Sequence, residues 1–96
     1  MLKAADVNLD ATEMVLTLEK EKSPRTIEYM KIDRLEKVTE PVRKLFRTVE
    51  VQAIRISVLG MEEPIVITSD KLGDFQHVEN YLIHTVAEKY DIAVRQ

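Results

Sequence analysis

Near the C-terminus one apolar stripe constrains everything before it. Phe75, Val78, Leu82, Val86 and Tyr90 recur at spacings of three and four, with Ile83 and Ala87 widening the stripe. That is the period of an amphipathic helix with one buried face. The spacing predicts a helix over about residues 71–90, with Asp70 and Asp74 each offering a capping carboxylate. Gln76, Glu79, Asn80 and Lys89 fall on the solvated side. The preceding residues mostly alternate with period two. A helix this apolar must lie on a sheet or plug a barrel end, because strands alone would leave open edges and an uncovered core.

Met14, Leu16 and Leu18 alternate with Val15, Thr17 and Glu19, a strand with one buried face. Ser23-Pro24-Arg25 then reads as a turn, since Pro presets φ and cannot donate to a ladder. Residues 1–12 are weakly patterned, a loose first strand or an arm anchored by Leu2, Val7 and Leu9. Residues 26–50 carry two readings. In the favoured one, strands at about 26–31 and 34–39 meet at a kink or bulge near Ile32-Asp33. In the competing α+β reading, 24–38 and 42–50 are helices, against which Pro41 argues. Val49, Val51 and Ala53 share one parity and Ile54, Ile56 and Val58 the next, which predicts a bulge or a strand break near Ala53-Ile54. A Gly- and Pro-punctuated connection, Leu59 to Pro64, leads to Ile65-Val66-Ile67.

The predicted fold is therefore mainly β: a small antiparallel barrel or curved sheet closed by one C-terminal helix, with residues 13–96 as one domain. Thr26-Ile27-Glu28-Tyr29-Met30-Lys31-Ile32-Asp33-Arg34-Leu35 and Val42-Arg43-Lys44-Leu45-Phe46-Arg47-Thr48-Val49 resemble segments of the bacterial pleckstrin-homology-like (PH-like) family. The resemblance spans about residues 13–90. It implies seven antiparallel strands followed by one helix, and a non-catalytic module working through self-association or protein contacts. The phosphoinositide-binding triplet of eukaryotic relatives has no counterpart, because Glu19 and Glu21 interleave Lys20, Lys22 and Arg25.

Composition removes several chemistries. With no Cys there is no disulfide framework, thiolate zinc site or cysteine nucleophile. His77 and His84 share a helix face but stand two turns apart, roughly 10 Å, too far to grip one metal ion. Ser23, Ser57 and Ser69 lie outside any nucleophile-elbow pattern, and Ser69 and Asp70 read as capping residues. Gly60 and Gly73 are isolated, so there is no phosphate loop. No enzyme and no cofactor are expected. A net charge of −3 and the absence of Trp argue against nucleic-acid binding. No apolar run approaches the roughly 20 residues of a membrane span, and Met1 to Asp6 lacks the pattern of a signal peptide. The chain is expected to be cytoplasmic, and a peripheral membrane contact stays open but without support in the sequence.

One electrostatic lead remains. Residues 1–48 hold ten bases and nine acids, whereas 49–96 hold four bases and eight acids. Arg34, Lys37, Arg43, Lys44 and Arg47 lie within 14 positions, and around Pro41 they form a candidate patch for an anion or an acidic partner. The alternative is a solvated strand face interleaved with Glu36 and Glu40. Tyr29, Met30, Leu59 and Met61 are candidate apolar residues beside edges and loops, and a homo-oligomer is the leading partner expectation.

Overall fold

In the computed structural model, which describes residues 1–96, half of the chain is strand and one helix follows near the C-terminus. The strands are β1 (Leu2–Leu9), β2 (Glu13–Leu18), β3 (Arg25–Glu28), β4 (Ile32–Arg43), β5 (Thr48–Val58), β6 (Ile65–Thr68) and β7 (Ala93–Arg95). They form one open sheet in the order β3-β2-β1-β6-β5-β4-β7. Two meanders, β1 to β3 and β4 to β6, therefore lie side by side. Their seam is short: parallel pairing of Leu2 with Ile65 and of Lys3 with Val66.

The helix, α1, covers residues 75–90. It is α-helical at Phe75–Asn80, more widely wound (π) at Tyr81–Val86, and α-helical again at Ala87–Tyr90. Phe75, Val78, Leu82, Ile83, Val86 and Ala87 pack into a cluster of 21 buried hydrophobic residues that includes Met14, Leu16, Leu35, Ile54, Ile56, Ile65 and Ile67. All three tyrosines of the chain meet at one end of this core. Tyr29 is fully buried, its ring 6.4 Å from that of Tyr81 and 6.0 Å from that of Tyr90. Its hydroxyl donates a hydrogen bond of 2.8 Å to the backbone carbonyl of Asp10. No helix is long and apolar enough to cross a membrane.

Several expectations change. The sheet is open, not a closed barrel, and it is not antiparallel throughout: β1–β6 and β4–β7 are parallel. The helix is shorter than 71–90 and is not the last element. Asp91 enters the left-handed region (φ 55°), which Asp tolerates better than most residues, and turns the chain into β7 along β4. Asp74 occupies the N-cap position without a side-chain capping bond, while Asp70 lies 3.9 Å from Lys44 instead. Glu79 is not solvated. It is 4% exposed, with Lys37 of β4 reaching it at 3.8 Å.

Residues 24–50 are not helical apart from one 3-10 turn, Tyr29–Lys31. That turn and a register shift between Ile32 and Arg34 make the expected kink. The weak pattern of β1 has a similar cause. Its register shifts between Ala4 and Asp6, so Ala4 and Val7, three apart, both point into the core.

Candidate functional site

Beyond the core, β4 and β5 continue as a two-stranded arm. β7 pairs with β4 only at Arg34, Leu35 and Glu36, and β6 pairs with β5 only from Ala53 to Ile56. Lys37 to Arg43 thus pairs on one side only, with Ile54 down to Thr48. Pro41 is tolerated because β4 is an edge strand there. Six strand steps from Lys37 to Arg43 extend the arm by about 20 Å.

The parity change near Ala53-Ile54 is neither a bulge nor a break. The register runs without interruption from Arg34 opposite Ser57 to Arg43 opposite Thr48. What changes is the face that is apolar. Leu35, Ile54 and Ile56 face the helix and the core. Opposite parity places Val38, Val42, Val49, Val51 and Ala53 on the other side of the sheet, together with Val66 of β6. Val42 stands directly across from Val49, Glu40 from Val51, and Val38 from Ala53.

This second apolar face carries its own charges. Arg34 and Glu36 lie 3.2 Å apart, and the Arg55 guanidinium reaches the Glu40 carboxylate at 3.3 Å. Glu40 and Arg55 occupy different rungs of the ladder, with the Val38–Ala53 rung between them. Their contact therefore lays both side chains along the face, over that rung. Ala53 (1% exposed), Val66 (fully buried) and Glu40 (7% exposed) are buried on this face, while the four arm valines remain half-buried. The Nε atoms of Arg34 and Arg55 are buried without an aligned acceptor.

The five cations expected to converge do not form one patch. Arg34 lies on the valine face beside Glu36, and Lys37 lies on the helix side beside Glu79. Arg43, Lys44 and Arg47 gather at the tip, where the Lys44 N–H donates to the Arg47 carbonyl at 2.7 Å and closes the turn. Between them stand Leu45, 85% exposed, and Phe46, 91% exposed. Neither residue stands out in the sequence as a surface feature, because each also fits the spacing of a buried helical face. Met30 and Leu59 are exposed as expected, but Met61 packs partly on the core and Tyr29 is buried.

Elsewhere the surface is shallow. His77 and His84 do share a face, lining a depression with Asn80, Tyr81 and Thr85. A mixed-charge hollow of about 430 Å³ lies between Leu2, Lys3, Leu18, Glu19 and Lys20. The Glu21–Arg25 pair at 2.6 Å lowers the carboxyl pKa through its hydrogen bond to Arg25. What the fold and site define is an open, mainly antiparallel sheet with one helix on one face and a projecting apolar arm. In comparisons with family models, curated proteins and solved structures, nothing matches this chain.

Proposed function

We propose that this chain is a non-catalytic interaction module that self-associates through the second apolar face of its sheet. One observation carries the reading: Val38, Val42, Val49 and Val51 lie on the side turned away from the only helix, on an arm with both edges largely unpaired. Apolar residues at four such positions are poorly suited to permanent solvation. The charges suit a second copy of the same chain. Two acids, Glu36 and Glu40, and two bases, Arg34 and Arg55, share the face. A twofold arrangement can set the acids of one copy against the bases of the other. The PH-like family remains part of this proposal. Its support is a strand-rich body followed by an apolar-striped helix; the open sheet, the two parallel pairs and the strand after the helix weigh against it.

Sedimentation across a wide concentration range tests self-association. The wild type should show a concentration-dependent dimer, and Val42→Lys with Val49→Lys should remain monomeric while keeping its circular dichroism. A wild type that stays monomeric throughout refutes the proposal.

A second reading is favoured by the tip cations: a module for an anionic ligand. Under it, Arg43→Glu with Lys44→Glu abolishes binding, and ionic strength weakens it. A lipid and phosphopeptide array without a salt-sensitive hit removes this reading.

A further inference from the structure

We propose that the tip of the β4–β5 arm docks on an anionic lipid bilayer, with Leu45 and Phe46 entering the interface and Arg43, Lys44 and Arg47 remaining among the headgroups. This rests on the second reading above and names its ligand class. Single exposed apolar side chains are ordinary. Here two adjacent ones are the most exposed large hydrophobic residues of the chain, and they occupy the end of a projecting ribbon. Arg43 and Arg47 make no ion pair, and Lys44 has only Asp70, at 3.9 Å.

Shape decides between a small anion and a surface. None of the three surface depressions is lined by residues 43–47. A convex tip cannot enclose a phosphate, but it can enter a fluid interface. There apolar side chains leave water and cations meet a negative surface potential. Insertion has to be shallow, because the turn at 45–47 leaves peptide groups that hydrocarbon could not satisfy. The nearest acids of the arm, Glu40 and Glu50, stand two or three strand steps behind the tip, about 7–10 Å. That is close to the screening length at physiological ionic strength. With Lys44 partly balanced by Asp70, Arg43 and Arg47 still leave the tip positively charged on a chain whose net charge is −3.

The chain has no Trp, so Phe46→Trp supplies a single indole reporter. With phosphatidylcholine vesicles containing phosphatidylserine, its emission should shift to the blue and be quenched by acyl-brominated lipid; with phosphatidylcholine alone, or at high salt, the response should be much weaker. Leu45→Ser with Phe46→Ser should lower partitioning of the full chain tenfold or more, roughly the effect of withdrawing two large side chains from an apolar phase. Each charge reversal among Arg43, Lys44 and Arg47 should lower it by about fivefold or more. An unmoved indole emission, or wild-type partitioning by the serine variant, overturns the proposal. Salt-sensitive binding of a phosphopeptide or soluble glycerophosphoserine with the emission unmoved also overturns it, yet leaves the anion reading standing. Unchanged circular dichroism and thermal midpoint of the serine variant show that the fold is intact.

Discussion

Tyr29 offers a test of how the N-terminal meander is fastened to the rest. Burial, with smaller contributions from Tyr81 and its surroundings, pushes its phenol from the ordinary 10.0 up to about 12. The folded state thus holds the proton more tightly than the unfolded chain. Its contribution is complete below pH 10 and is lost as the pH rises through about 12. At roughly 1.4 kcal/mol per pH unit, this gap amounts to about 3 kcal/mol. Tyr29→Phe keeps the ring contacts with Tyr81 and Tyr90 but removes the bond to the Asp10 carbonyl, at a cost of about 1 kcal/mol near neutral pH. Above pH 10 the wild type loses stability faster than the variant, so the two curves cross between pH 10 and about 12. Urea unfolding of both proteins at intervals from neutral to strongly alkaline pH measures the difference, and lysine titration cancels in the comparison. Tyrosinate absorbance gives a second readout, since the component that the variant lacks should be the late one. A stability difference that does not vary with pH, or a missing component centred near 10, refutes the reasoning.

Two further perturbations address the core and the arm. Leu82 is fully buried at the centre of the helix stripe, so Leu82→Ala should cost about 2–5 kcal/mol in chemical denaturation; a loss below 1 kcal/mol would mean that the helix is not seated on the sheet as described. Glu40→Ala leaves the Arg55 guanidinium without its acid on a covered face and should cost about 1–3 kcal/mol. Replacing both Glu40 and Arg55 by Leu should come close to wild-type stability, and a double-mutant cycle with no coupling between the two positions would contradict the pairing.

Elements whose buried positions repeat regularly were readable in the sequence. Met14, Leu16 and Leu18 gave β2 its face, and Phe75 to Tyr90 gave the helix. The bend before Arg34 was also legible, because strand-favouring β-branched residues lie on both sides of it. β1 was obscured by its own irregularity: a bulge puts two inward residues three apart, which no single period describes. β7 was lost because three residues after a helix carry no pattern. Its place depends on Asp91 turning the chain back onto β4. The arm shows a different limit. Hydrophobic alternation marks an apolar face but not the side of the sheet on which it lies, so a change of face looks like a break in the strand. For the basic cluster, proximity along the chain was a poor guide, since Arg34 and Lys37 emerge on opposite sides of one strand and only Arg43, Lys44 and Arg47 reach the tip. Leu45 and Phe46 could have been found by noting that apolar residues enclosed by cations at a hairpin turn have no strand neighbour to cover them.

The short seam between the two meanders has a consequence for the order of events as the chain emerges and folds. Each meander is built from neighbours in sequence and can form early, whereas the seam joins residues more than sixty positions apart through two rungs. Contacts this distant close late and slow the overall reaction. In hydrogen exchange the amides of Leu2 and Lys3 should therefore open before those of β2 or β5. Until Ile65 and Val66 have been synthesised, one side of β1 stays unpaired, an open edge available to any other extended strand nearby. In this chain the interval of greatest exposure to mispairing opens once β1 is complete, and it ends when β6 arrives.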